Sequence, residues 1–158
     1  MFREVARKKQ VLSEAECREI LTRELRGVLS VCGDDGYPYG VPMNHWYCPE
    51  ENRLYFHSGP LGHKIDAIRR CDKASFNVLD GGERREGEWW LTFRSVVVFG
   101  RIRLVEDHEK ALELSRQLSY KFTSDEEYIQ HEIIHSGPSV LCFALEIEHM
   151  TGKRVSER

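Results

Sequence analysis

The chain reads as a mainly β (α+β) domain: a small closed or partly open antiparallel β-barrel of about six strands with helices on its flanks. Three observations predict it. Short apolar runs follow one another across turn-sized links, and strands joined so briefly cannot lie parallel. One strand-like stretch, Trp89 to Val105, is long enough to curve around a barrel and carries Gly100 where such a strand bends. Helical spacing of apolar residues appears only near the start, after Gly62 and between Asp107 and Ser136.

Taken in order, Ser13-Glu14-Ala15-Glu16 has the form of a capping box, and Ile20, Leu21 and Leu25 continue the apolar face of a short helix over residues 13–26. Gly27 stops it. Val28 to Cys32 is an apolar strand, and Gly33-Asp34-Asp35-Gly36 accepts the positive φ angles of a hairpin turn, so Tyr37 to Tyr47 is expected to return as a strand. Pro38 and Pro42 each remove a ladder donor and move that strand to an edge or onto a bend. There, Val41, Pro42, Met43 and Asn44 can offer backbone groups to a flat polar ring, or simply form an irregular strand.

Beyond the turn at Pro49 to Asn52, Leu54 to Ser58 has strand composition, and Lys73 to Leu79 alternates with Ala74, Phe76 and Val78 on one face. Asp80 to Glu88, rich in glycine and charge, is expected to be an exposed and mobile loop. In the long strand Val96, Val98, Ile102 and Leu104 share a face. Asp107 is placed to cap a helix carrying Ala111, Leu112, Leu114 and Leu118, and a second helix with Tyr128, Ile129, Ile133 and Ile134 follows from Ser124. Val140 to Ile147 is the last strand, and a polar tail over 152–158 is expected to fray.

Composition narrows the function classes. With 158 residues, 41% of them hydrophobic, the chain from 1 to 158 suffices for one domain with a real core. Its charged residues, 31% of the total, mix both signs to a net −3, so no broad basic field favours nucleic acid or an anionic membrane. No apolar run approaches membrane-spanning length and the start lacks a secretory apolar stretch, which makes a cytoplasmic location the expectation. The five cysteines are scattered and never spaced Cys-x-x-Cys, against both a disulfide framework and a zinc site. His131 and His135 lie at i, i+4 but have no local third ligand, so no metal is assigned.

The stretch from Leu54 to Arg70 carries the clearest sign of a ligand. Strand, glycine loop and helix follow in that order, and a helix beginning near His63 or Lys64 turns its unpaired N–H groups and the positive end of its dipole towards the loop. Lys64 adds a full charge there. His57 and Ser58 offer a ring N–H and a hydroxyl, and the missing side chains of Gly59 and Gly62 allow close approach. The pattern suits a phosphate, although the same letters also describe a solvated turn. It is neither a Walker loop nor a dinucleotide Gly-x-Gly-x-x-Gly.

These residues also carry a family resemblance. Gly36-Tyr37-Pro38-Tyr39-Gly40-Val41-Pro42-Met43-Asn44, then Leu54 to Ser58 with Gly62-His63-Lys64, then Arg94-Ser95-Val96 and Phe99-Gly100, and last Ile147 with Thr151-Gly152-Lys153, resemble the nitroimidazole-resistance (Nim-like) branch of the pyridoxamine 5'-phosphate oxidase-related flavoproteins. The resemblance implies a split β-barrel that forms a homodimer, with FMN lying between the subunits. It implies that His57, Ser58, Gly62, His63 and Lys64 handle the phosphate and ribityl chain, that Val41 to Asn44 lie along the isoalloxazine ring, and that Ser95 is a further contact. Trp89 or Trp90 is placed either as a contact from the partner or in the barrel core or dimer interface. His45 and Phe93 depart from the branch's usual aromatic and Tyr, on the substrate side of the ring. The implied activity is electron transfer from a reduced nicotinamide to a small planar acceptor such as a nitroaromatic. The alternatives are a flavin-binding module without turnover, or the same barrel holding a deazaflavin or a haem, with His45 or His63 as haem ligand.

Overall fold

The computed structural model describes residues 2–157. They form seven strands, β1 Arg26–Cys32, β2 Pro38–Asn44, β3 Trp46–Cys48, β4 Arg53–Ser58, β5 Lys73–Leu79, β6 Thr92–Leu104 and β7 Leu141–Ser156. Four α-helices accompany them: α1 Glu14–Arg23, α2 His63–Arg70, α3 His108–Tyr120 and α4 Glu126–Ser136. All strands join one antiparallel sheet in the order β2-β1-β5-β6-β7-β4-β3. The sheet curls on itself: Phe56 of β4 meets Phe76 of β5 edge-on at 5.0 Å although two strands separate them in the sheet.

Leu29 and Val31 of β1, Val96, Val98 and Ile102 of β6, and Phe143 and Leu145 of β7 fill the interior with those phenylalanines. Ile20 and Leu21 of α1 and Ile65, Ala67 and Ile68 of α2 close it. Burying each such side chain contributes about 1.5–3 kcal/mol, and the alternation of β5 (Ala74, Phe76, Val78 inward) is what directs it there. A second cluster, Cys48, Tyr55, Ala111, Leu114 and Cys142, seats α3 on the back of β3, β4 and β7.

The expected barrel of antiparallel strands is present as a split half-barrel, with seven strands rather than six. The segment Tyr37 to Tyr47 is two strands and not one. It breaks at His45, whose ring is drawn wholly into the core, and the chain crosses there from one edge of the sheet to the other. β2 is an edge strand, as its two prolines require. The C-terminal residues do not form a frayed tail through 156. The amino half of β6 needs a partner, and residues up to Ser156 supply it, pairing as far as Thr92 with Ser156.

Gly100 sits at a register shift between β6 and β7, where a side-chain Cβ would come 1.9 Å from the Glu146 carbonyl oxygen. Only glycine lets the two backbones approach so closely at the bend. Two helix starts are as the sequence indicates, the reciprocal capping box of Ser13 and Glu16 and the Asp107 cap of α3, whereas α4 is capped by Asp125, one residue beyond the expected Ser124. On α4 only Ile129 is buried, while Tyr128 and Ile134 face outward.

Candidate anion-binding site at the split of the barrel

β4 runs out at Ser58, the chain turns through Gly59 to Gly62, and α2 starts at His63. Gly62 takes the N-cap position with φ 125°, a conformation that L side chains rarely adopt, and no side chain caps the helix. Its carbonyl accepts from the amides of Ile65 and Asp66, which leaves those of His63 and Lys64 directed out of the helix end. A Cβ at Gly59 or Gly62 would meet open space. Lys64 is half-buried, and no hydrogen bond or ion pair holds its ammonium among the described residues. An uncapped helix start beside an unpaired ammonium attracts an anion.

Across the split stands β2. The Tyr39 ring stacks on His63 with centroids 4.1 Å apart, so the free edge of β2 begins where α2 begins. Asp34, in the β1–β2 turn, accepts from Arg70 at 2.8 Å and lies 3.5 Å from His63 Nε2. This carboxylate competes with any bound anion for His63. Nothing local in the sequence announces the Asp34 and Tyr39 contacts, because each pairs residues more than twenty apart in the chain.

The structure does not bring all the expected site residues together. Gly62, His63 and Lys64 form one corner, with Ser58 on the strand leading into it. His57 points the other way: alternation puts Ser58 on the face of Leu54 and Phe56, and His57 on the face of Tyr55. There it lines a cavity of about 270 Å³ with Ser136, Ser139 and Val140, which Ser58 and Gly59 also border where the strand ends. Burial lowers the His57 pKa, so the ring is neutral at neutral pH and offers a phosphate no charge.

In β2, Met43 is buried, Val41 is half-buried against the core, and Pro42 points out of the sheet. Asn44 accepts from Arg26 Nε at 2.8 Å. The backbone edge from Val41 to Asn44 has no neighbouring strand. Ser95, on β6, pairs with Leu79 of β5 and lies three strands across from β2, about 14 Å along the sheet at the usual strand spacing.

His45 faces the core and has no open position for a haem. It is fully buried, edge-on to Phe76 at 4.9 Å, with Nε2 donating to the Leu21 carbonyl at 2.8 Å. Lys121, just past α3, donates to the same carbonyl at 3.2 Å and to the His45 carbonyl at 3.1 Å. Burial, then that ammonium, pushes His45 down to about 3, and burial pushes Lys121 down to about 8.

The loop after β5 is pinned at its base rather than free. Asp80 accepts from the Arg94 amide at 2.8 Å and from its Nε at 2.9 Å, and Glu83 exchanges two backbone bonds with Thr92. Trp89 is 75% exposed beside it and Trp90 is half-buried, and neither belongs to the barrel core. Among the described residues no helix is long and apolar enough to cross a membrane, and no three metal-binding side chains cluster.

Comparison with solved structures places this architecture. A candidate 5-nitroimidazole antibiotic resistance protein from Bacteroides thetaiotaomicron VPI-5482 superposes with TM-score 0.76 at 21% identity, over 92% of this chain and 87% of that one. A FAD-binding protein from Mesorhizobium loti gives TM-score 0.66 at 27% identity, over 92% and 97%. A flavocytochrome from Azotobacter vinelandii gives 0.77 at 20% identity, over 95% and 72%. A comparison with curated protein sequences gives no match. The sequence profile described as pyridoxamine 5'-phosphate oxidase matches residues 13–154, from the capping box of α1 to the far end of β7, and the chain belongs to that family.

Proposed function

We propose that the protein is an FMN-dependent oxidoreductase of the cytosol, acting as a homodimer with a flavin between the subunits and a small planar acceptor, such as a nitroaromatic, as substrate. The observation that carries this reading is the uncapped start of α2 with the unpaired Lys64 beside it, a fit for a terminal phosphate. Lys64, Ser58 and the amides of His63 and Lys64 would hold that phosphate. From Tyr39, opposite His63, to Asn44 the open edge of β2 extends five residues, about 17 Å, a length suited to an extended mononucleotide with its ring beside Val41 to Asn44. Bound FMN supplies the electron transfer, from a reduced nicotinamide to the acceptor.

A second copy of the chain is part of the proposal for two reasons. Val28, Leu79 and Phe99 expose 41%, 54% and 39% of their surface on the outer face of β1, β5 and β6, an apolar stretch suited to a partner. Ser95, across the sheet from the open edge of β2, contacts the same flavin most simply from the other subunit. The exposed Trp89 would be a further contact from the partner in this arrangement. The nitroaromatic acceptor is supported by the likeness to the Bacteroides protein.

The test is an absorption spectrum and an FMN titration of the purified protein, repeated with Lys64→Ala. A flavin spectrum is expected, with affinity lowered in the variant by about 1.5–3 kcal/mol, the scale of a charge-assisted hydrogen bond. A colourless protein in excess FMN, or a variant that binds as well as the parent, removes the proposed site. Turnover of nitro compounds and quinones with NADH or NADPH then separates an enzyme from a flavin carrier.

A further inference from the structure

β1 ends at Cys32, and Cys71 is the C-cap residue of α2. Thirty-nine positions apart in sequence, their sulfur atoms stand 3.2 Å apart. Cys32 is exposed and Cys71 half-buried, whereas Cys17, Cys48 and Cys142 are buried. The frame around the pair is held without the sulfurs: Arg70 donates to the Cys32 carbonyl at 2.9 Å and to Asp34 at 2.8 Å, and the Cys71 amide donates to Ala67 at 2.9 Å. Closing the remaining distance to a disulfide bond takes about 1 Å of side-chain movement.

We propose that Cys32 and Cys71 are a redox-active pair that hydrogen peroxide oxidises to a disulfide, stitching the carboxyl end of α2 to the end of β1. The Cys71 thiolate attacks one peroxide oxygen; the O–O bond breaks, Cys71 becomes a sulfenic acid, and the departing hydroxide takes a proton to become water. The Cys32 thiol then attacks the Cys71 sulfur. The S–S bond forms, the S–O bond breaks, and the hydroxyl leaves with the Cys32 proton as a second water. The two sulfurs together lose the two electrons that the peroxide gains.

Cys71 is the attacking group on electrostatic grounds. The Lys73 backbone N–H, and then the Cys32 thiol, favour its thiolate and lower its pKa, against burial and the Asp72 carboxylate. The hydrogen bond to Cys71, and then burial, raise that of Cys32, with Lys73 and Arg70 acting the other way. The stitched helix is the one whose other end carries the candidate anion site, but the pair stands on its own geometry whether or not that site holds a flavin.

The test uses the reduced full chain treated with hydrogen peroxide, then denatured for thiol titration and peptide mapping. Titratable thiols should fall from five to three, with one cross-link joining Cys32 to Cys71 that dithiothreitol reverses. With Cys32→Ser, a dimedone probe should label Cys71 as sulfenic acid. With Cys71→Ser, Cys32 should stay unlabelled and no cross-link should form. Five thiols remaining in the parent protein, a cross-link through any other cysteine, or one joining two copies of the chain would overturn the proposal, and these readings need no variant to fold.

Discussion

The buried His45 makes a sharp prediction about acid stability. Its pKa is about 3 in the folded chain against an ordinary 6.5, because burial and then Lys121 disfavour the imidazolium. On acidification the unfolded chain therefore takes up this proton first, so stability is whole above pH 6.5 and declines as pH falls towards 3. The slope is about 1.4 kcal/mol per pH unit, or about 2 kcal/mol lost between neutral pH and about pH 5 from this one ring. His45→Gln replaces it with an amide that can still donate to the Leu21 carbonyl and does not titrate. The substitution is expected to cost about 1–2 kcal/mol at neutral pH, through a poorer fit against Phe76. Urea unfolding at fixed protein concentration, through a series of pH values, should then give a parent curve falling towards acid and a much flatter variant. His57, also lowered by burial, titrates in both proteins and cancels in the comparison. Lys121 stays charged throughout this range. Equal slopes for the two proteins between about pH 6.5 and 4.5 would mean that His45 is not held neutral in the core.

Other substitutions probe the bend and the anion site. Gly100→Ala should destabilise by about 3 kcal/mol or more, the upper end of overpacking, because its Cβ would meet a backbone carbonyl that has nowhere to move. An unfolding midpoint close to the parent's would show that β6 and β7 can part at the bulge. Asp34→Asn removes the carboxylate that faces His63 and Arg70, and FMN or inorganic phosphate is expected to bind about two- to fivefold tighter, as for loss of one exposed competing charge. Weaker binding by titration calorimetry would mean instead that Asp34 orients His63 for the anion.

What could be read in advance depended on how far apart in the chain the cooperating residues lie. Period-two alternation placed Ala74, Phe76 and Val78, and the capping box of α1 and the Asp107 cap of α3 placed those helices, because each signal sits within a few residues. The α2 corner was legible for the same reason: strand, glycine loop and helix are contiguous from Leu54 to Arg70. His45 was not, since its partners Leu21 and Lys121 are 24 and 76 residues away and no local pattern separates a core histidine from one facing a ligand. The polar residues after Gly152 were misread because polarity alone resembles a frayed end, while the partner that orders them, the start of β6, lies about sixty residues upstream.

Gly62, His63 and Lys64 belong to one continuous stretch, and the fold delivers them to a single corner. Ser95 and the Val41 to Asn44 edge belong to separate strands, and within one subunit the sheet holds Ser95 three strands from that edge. A ligand touching both would have to cross the outer sheet face of its own subunit, over Val28 and Leu79, or receive Ser95 from a second copy packed on that face. Either route covers Val28 and Leu79, but a partner packed on that face covers Phe99 as well, at about 25 cal/mol for each Å² buried. Dimerisation and flavin binding are therefore expected to be coupled. Leu79→Glu, on the proposed contact face and away from α2, should lower FMN affinity and convert the proposed dimer to monomer in analytical ultracentrifugation. A monomer that bound FMN as tightly as the parent would place the whole cofactor site within one chain.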